Sequence, residues 1–200
     1  MPSARESLLI AAQSALAAQP WATVRMVEVA AAAGVSRQTL YNEFRTKEGL
    51  GAALVARQVD GFVTGAADAV TAARRSGGDP AVCCAAAAVW ILCRAREEPL
   101  VRAALTGFWN SRLPLPEVPP AQVVERLAAG ILDALSGEGG AELRRACEAG
   151  LRLALSYVVV PPTEPDAPAR VAAVVSALLS GSSVRGGLPA PDAGPPTRRP

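Results

Sequence analysis

Alanine is the feature that most constrains how this chain can fold. It accounts for 42 of the 200 residues, whereas only eight side chains are aromatic, so a core must be assembled from small side chains at close spacing. Alanine is the strongest helix former, and no stretch shows the alternation of apolar and polar residues that is typical of a half-buried strand. The sequence therefore predicts an all-α fold.

Capping residues, glycines and prolines divide the chain into about nine predicted helices. Ser3, Ser36, Thr46 and Asp79 each precede a helical run, where their side chains can accept hydrogen bonds from the first free N–H groups. Apolar residues at steps of three and four give the runs one buried face. The predicted helices cover residues 4–18, 25–33, 37–44, 47–73, 80–97, 99–110, 123–135, 143–158 and 171–178.

Composition excludes several classes of function. The chain has no histidine, which excludes Ser-His-Asp and Cys-His catalytic sites and metal sites built on imidazole. We therefore predict no enzyme activity, no cofactor and no metal. The four cysteines, Cys83, Cys84, Cys93 and Cys147, have neither zinc-knuckle nor secreted-disulfide spacing, and the first residues do not resemble a signal peptide. The longest uncharged apolar stretch, residues 81–93, is too short to cross a bilayer. We expect a soluble cytoplasmic protein with reduced thiols and no membrane partner.

Residues 25–44 have the pattern of a helix-turn-helix, two short helices joined by a tight turn that contains Gly34. Leu40 and Phe44 are four residues apart and are predicted to face inward, against Val29, Ala30 and Val35. The outward face of the second helix then carries Arg37, Gln38, Tyr41 and Asn42. Such side chains can reach base edges and phosphates. On an isolated helix they would be an ordinary solvated face, and Tyr41 would be a candidate core residue.

The DNA-binding domain of the TetR family of bacterial transcriptional regulators is similar to residues 24–54, and especially to AGVSRQTLYNEF (33–44) followed by TKEGL (46–50). The resemblance implies a three-helix DNA-binding domain over residues 1–47 and a helical ligand-binding and dimerisation domain over residues 48–181. Residues 182–200, rich in Gly, Pro and Ser, are predicted to be a disordered tail. The implied function is a repressor that binds a palindromic double-stranded DNA operator as a homodimer and is released by a small molecule.

The resemblance also assigns roles to single residues. Thr39 and Tyr41 match family positions that touch the phosphate backbone or a thymine methyl, and Lys47 matches a lysine that meets a phosphate. Arg25 stands where the family usually has a capping Thr, so Thr23 is expected to cap that helix and Arg25 to reach a phosphate. The predicted DNA contacts are Arg25, Ser36, Arg37, Gln38, Thr39, Tyr41, Asn42 and Lys47.

The rest of the chain is predicted to hold a ligand and to form the dimer. Aromatic residues concentrate there, and the predicted ligand contacts are Trp90, Cys93, Phe108, Trp109 and Tyr157. Aromatic walls with few polar groups suit an apolar or aromatic small molecule, although each of these side chains would equally suit a core. The last two helices have broad aliphatic faces, and the resemblance implies that they pair with their symmetry mates. Control by a protein partner or by cysteine oxidation remains the alternative to a small ligand.

Overall fold

The computed structural model describes residues 2–110, 112–135, 140–161 and 166–184. All regular secondary structure within these ranges is helical, which confirms the predicted all-α fold. The elements are α1 (Ala4–Ala18), a 3-10 turn (Trp21–Thr23), α2 (Met26–Ala32), α3 (Arg37–Phe44), α4 (Lys47–Arg75), α5 (Pro80–Glu97), α6 (Pro99–Thr106), α7 (Pro120–Ala134), α8 (Ala141–Val159) and α9 (Ala167–Val184).

The predicted caps are present. Ser3, Ser36, Thr46 and Asp79 each accept a hydrogen bond from the backbone N–H three residues later, at 2.9 to 3.1 Å. These caps satisfy one of the free N–H groups at the start of α1, α3, α4 and α5. Local sequence signals therefore fix where four of the helices begin.

Several helix limits differ from the prediction, and the largest differences are at the end of the sixth helix and at both ends of the ninth, which begins at Ala167 instead of residue 171. The sixth helix was predicted to reach residue 110, but α6 ends at Thr106 because Gly107 adopts a φ of 74°, which reverses the chain. The ninth continues to Val184, three residues into the segment predicted to be disordered. The rest of that predicted tail, residues 185–200, lies outside the described residues.

The first three helices bury apolar side chains against one another, as part of a core that continues through the other helices. Leu8 and Ala12 of α1 pack with Val29 of α2 and with Leu40 and Phe44 of α3, and all five side chains are buried. The inward direction predicted for Leu40 and Phe44 is confirmed. Residues 2–46 are called the reader below.

The long helix α4 connects the reader to the remaining helices. Its first turns contact α1 and α3, and the rest of its length packs against α5, α6 and α7. Helix α5 lies between α4 on one side and α8 and α9 on another. At the crossing of α4 and α5, the Trp90 ring lies against Gly65, and its indole N–H donates to the Phe62 carbonyl at 3.0 Å. None of the described helices has the length and hydropathy needed to cross a membrane.

Candidate DNA-binding interface

The N-terminus of α3 is fixed by side chains of its own first turn. Ser36 accepts the Thr39 N–H at 3.0 Å, and its Oγ lies 2.9 Å from the Thr39 hydroxyl. The remaining N–H groups of this turn have no partner within the helix and carry the positive end of its dipole. Such a helix start attracts an anion such as a DNA phosphate.

Two buried side chains and a contact from α1 fix the rotation of α3. Leu40 is fully buried, and Phe44 is nearly so. The Arg5 guanidinium lies 4.6 Å from the centroid of the Phe44 ring and 3.5 Å from a Glu43 carboxylate oxygen. Arg5 therefore joins α1 to the end of α3 and places a positive charge beside Glu43. Sequence reasoning missed this contact, because nothing local relates residues that are 38 apart.

The outward face of α3 carries the predicted base-reading side chains. Arg37, Gln38, Tyr41 and Asn42 are exposed, and none of them forms a hydrogen bond or ion pair with the described part of the chain. Tyr41 is 42% exposed, so it is not a core residue. Four polar groups with free donors and acceptors thus lie on one side of a rigidly held helix.

A tight turn joins α3 to α4. Arg45 has a φ of 60° and a ψ of −52°, and the Thr46 N–H donates to the Phe44 carbonyl at 2.6 Å, which together make a γ-turn. Gly49 lies against the same carbonyl, where a Cβ would be 2.3 Å from the oxygen. This geometry explains why a glycine follows the capping Thr46 by three residues.

Lys47, the first residue of α4, is bound to the reader. Its ammonium donates to the Ala22 carbonyl at 2.8 Å and lies 5.7 Å from the centroid of the Trp21 ring. The side chain is half-buried. Lys47 thus joins α4 to the 3-10 turn and places a positive charge at the start of α4.

The structure corrects one prediction in this region. Thr23 does not cap α2, because its hydroxyl donates to the Pro20 carbonyl at 2.8 Å inside the 3-10 turn. Arg25 occupies the capping position and makes no capping hydrogen bond. Its side chain is exposed and lies 3.9 Å from the Glu28 carboxylate.

The reader and the first turns of α4 contact the connection between α6 and α7, and α1 contacts α4 again further along its length. The Trp21 N–H donates to the Arg112 carbonyl at 2.9 Å, in the connection between α6 and α7. Pro114 of the same connection lies against Gly51, where a Cβ would be 2.6 Å from the Pro114 Cβ. On the other side of the reader, Glu6 and Arg57 form an ion pair at 2.9 Å.

Residues 8–54, which run from α1 into α4, match the model for bacterial regulatory proteins of the tetR family. These helices therefore form a DNA-binding domain of the TetR family. A relative from Mycobacterium tuberculosis, the HTH-type transcriptional regulator AlkX, is 29% identical over 189 residues, which are 92% of this chain and 87% of the relative. A chain with this domain and this similarity along most of its length is a DNA-binding transcriptional regulator, and the proteins that it resembles are regulators rather than enzymes.

Solved structures of TetR-family repressors share the fold. The repressor AlkX from a Dietzia strain, described as implicated in biodegradation of n-alkanes, has a TM-score of 0.59 and 23% identity; the match covers 89% of this chain and 96% of that one. Thermus thermophilus FadR, solved in complex with lauroyl-CoA, has a TM-score of 0.55 and 21% identity over 96% of this chain and all of that one.

The five predicted ligand residues are not brought together. Phe108 is 74% exposed, Trp109 packs against the core, and Trp90 lies between α4 and α5. Cys93 and Tyr157 both line a cavity of about 670 Å³ between α5, α8 and the start of α9. We call it the α5–α8–α9 cavity.

Sequence reasoning missed two arginines of the α5–α8–α9 cavity. Arg96 and Arg102 line it together with apolar side chains that include Val89, Leu92 and Val158. Neither arginine forms an ion pair with the described part of the chain. No spacing in the sequence predicts this placement, because the two residues lie on different helices, α5 and α6.

Proposed function

We propose that this protein is a ligand-responsive repressor, which acts in the cytoplasm as a homodimer on a roughly palindromic operator. Residues 1–47 supply the DNA-binding domain, and residues 48–181 supply ligand binding and dimerisation. The outward face of α3 is the observation that carries this proposal. It presents four unpaired polar side chains, while Leu40 and Phe44 on the opposite face are buried and fix the orientation of the helix. A helix presented in this way fits the major groove.

Each predicted DNA contact has a role that its position supports. Arg37, Gln38 and Asn42 read base edges, since arginine pairs with guanine and the amides pair with adenine. Thr39 and Tyr41 contact the backbone or a thymine methyl. Ser36 caps the first turn, whose free N–H groups attract a phosphate, while Arg25 at the start of α2 and Lys47 at the start of α4 supply positive charge.

Operator binding by purified protein tests the DNA-binding surface. Genomic DNA captured by the protein supplies the operator, and titration of the fluorescently labelled operator measures affinity. Arg37→Ala and Tyr41→Ala should each weaken binding by roughly 5- to 150-fold, as expected for losing about 1–3 kcal/mol of contact energy. Arg75→Ala is the matched control, because Arg75 is exposed at the opposite end of α4. Unchanged affinity in both α3 variants would contradict the proposed surface.

The effector that we propose is an apolar small molecule, and specifically one with an acyl chain and an anionic head. The α5–α8–α9 cavity combines apolar walls with the guanidinium groups of Arg96 and Arg102, and Cys93 and Tyr157 are its predicted ligand residues. Related repressors support this chemistry, since FadR was solved with lauroyl-CoA and AlkX is implicated in n-alkane biodegradation. Trp90, Phe108 and Trp109 are left out of this proposal, because they lie elsewhere.

Ligand binding is linked to DNA release through two connections. Helix α4 is continuous from the reader to α5, and the chain between α6 and α7 contacts Trp21 and Gly51. The two readers of a dimer fit the operator in one arrangement and are too far apart or too close together in another. An effector that binds more tightly to the second arrangement shifts the dimer toward it and releases the DNA. Coupling of this kind typically changes affinity by 5- to 150-fold.

Filling the cavity tests the effector site. Laurate should release the labelled operator from the unmodified protein, and Val89→Trp, which places a large ring in the cavity wall, should abolish release while operator binding persists. Val82→Trp is the matched control, because Val82 has a similar exposure on the same helix but does not line this cavity. Equal release of both variants by laurate would exclude the α5–α8–α9 cavity as the effector site.

A further inference from the structure

Two of the four cysteines lie in direct contact across a helix interface. Cys84 of α5 and Cys147 of α8 are both buried, and their sulfur atoms are 3.3 Å apart, within hydrogen-bond distance. A disulfide requires the two sulfurs to approach to about 2.05 Å. The remaining movement of roughly 1.3 Å is within reach of side-chain rotation and small helix shifts.

The other two cysteines have no sulfur partner. The Cys83 thiol is directed at the Gly78 carbonyl at 3.5 Å, and burial raises its pKa. Cys93 is exposed and lies on α5 at the α5–α8–α9 cavity. These two thiols therefore serve as internal references for any chemistry of the Cys84–Cys147 pair.

We propose that Cys84 and Cys147 form a peroxide-reactive redox site, which closes reversibly to a disulfide between α5 and α8. Because this site concerns thiol chemistry alone, it does not depend on the proposed effector or operator. Two features support this site: the sulfur atoms are in contact, and Cys147 lines a cavity between α7 and α8.

Access distinguishes the two sulfurs. Cys147 lines a cavity of about 340 Å³ between α7 and α8, whose other walls include Leu151 and the arginines Arg144 and Arg152. Cys84 does not line this cavity, and it shares with Cys147 a void of about 10 Å³ between α5 and α8. A small hydroperoxide that enters between α7 and α8 therefore meets the Cys147 sulfur first.

The hydrogen bond between the two thiols fits the same order when Cys84 is its donor. When Cys84 donates its S–H to Cys147, the thiolate of Cys147 is stabilised, which lowers the pKa of Cys147 and raises that of Cys84, although burial opposes ionisation at both. The thiolate is the reactive form of cysteine, so Cys147 is the attacking residue and Cys84 the resolving one.

The reaction has two balanced steps. The Cys147 thiolate attacks the hydroperoxide, an S–O bond forms and the O–O bond breaks, and the leaving alkoxide takes a proton to become an alcohol. Sulfur loses two electrons and the peroxide gains them. The Cys84 sulfur then attacks the Cys147 sulfenic acid, an S–S bond forms, and hydroxide leaves with the Cys84 proton as water. A dithiol reductant reverses the result by thiol–disulfide exchange.

Peptide mapping of the full chain tests this proposal. After treatment with equimolar cumene hydroperoxide, the protein should lose two thiols and yield a Cys84–Cys147 cross-linked peptide, which dithiothreitol reverses. Cys83→Ser and Cys93→Ser should leave the cross-link unchanged. Cys84→Ser should leave a Cys147 sulfenic acid that dimedone labels, whereas Cys147→Ser should leave Cys84 as a thiol.

The outcomes are decisive in either direction. If a buried serine prevents folding, as circular dichroism would show, Cys84→Ala and Cys147→Ala give the same readout with an apolar side chain. Oxidation of Cys93 alone, or a cross-link that joins any other pair, would overturn the proposal. Operator affinity of the reduced protein is measured separately, so a failure here leaves the proposed function untouched.

Discussion

At the scale of single residues, two glycines of α4 lie in opposite environments. A Cβ on Gly65 would lie 2.0 Å from the Trp90 ring, whereas a Cβ on Gly61, one turn earlier, would meet nothing within 4 Å. We expect Gly65→Ala to lower the free energy of unfolding by about 1–3 kcal/mol, because the hydrogen-bonded ring cannot move away. Gly61→Ala should raise it by up to about 1 kcal/mol through helix propensity. Urea unfolding of both variants checks the pair, and equal effects would contradict the close contact.

The γ-turn at Arg45 makes a second prediction about a single residue. A non-glycine residue with a positive φ is strained by roughly 1–3 kcal/mol, and glycine relieves that strain at some entropic cost. Arg45→Gly should therefore be more stable than Arg45→Ala by about 1 kcal/mol. Both variants lack the same guanidinium, so thermal unfolding of the two isolates the backbone effect. Equal melting temperatures would show that the turn is unstrained.

Single residues also show how far sequence reasoning reaches. The caps at Ser3, Ser36, Thr46 and Asp79 could be predicted because each depends on a backbone N–H only three residues away. The contact of Arg5 with Phe44 could not, because it depends on how α1 packs against α3. Thr23 was predicted wrongly because its hydroxyl had a nearer partner in the Pro20 carbonyl.

At the scale of elements, the connection between α6 and α7 contacts the first turns of α4 at Gly51 and the 3-10 turn of the reader at Trp21. Gly51→Ala would place a Cβ 2.6 Å from the Pro114 Cβ and 3.0 Å from the Trp21 ring. We expect this connection to move away from the reader. The Trp21 N–H, which donates to the Arg112 carbonyl, should then exchange faster with deuterium.

Gly130→Ala is the matched control for this experiment. A Cβ on Gly130 of α7 would make only an ordinary contact, 3.5 Å from Val63, so its exchange pattern should match that of the unmodified protein. Unchanged exchange at Trp21 in Gly51→Ala would mean that the close approach does not hold the two elements together.

The helices could be predicted well, and the cavity could not, for one physical reason. The limits of α1 and α3 depend on residues that are close in sequence, so the sequence pattern predicts them. The wall of the α5–α8–α9 cavity depends on which faces of three helices meet. Trp90 and Phe108 were predicted as ligand contacts because they are aromatic. In the fold, Trp90 packs against α4 and Phe108 is exposed.

At the scale of the whole molecule, the outer face of α9 is the proposed dimer interface. Its exposed positions are small or aliphatic and include Ala173, Val174, Ala177 and Leu178, and Val159 and Val160 at the end of α8 are exposed as well. A surface of this kind on an amphipathic helix pair is typical of a four-helix interface between two copies. Two copies would present their recognition helices about 34–36 Å apart, which fits a palindromic operator.

A charge placed on this face tests the interface and its link to DNA binding together. Ala173→Glu would bury two carboxylates across the proposed two-fold axis, so we expect a folded monomer in sedimentation equilibrium. Because one reader then binds one half-site without its partner, operator affinity should fall on the order of a hundredfold. Ala121→Glu, an equally exposed alanine at the start of α7, should remain a dimer with unchanged affinity. A dimeric Ala173→Glu protein would exclude this face and place the two-fold contact elsewhere on the molecule.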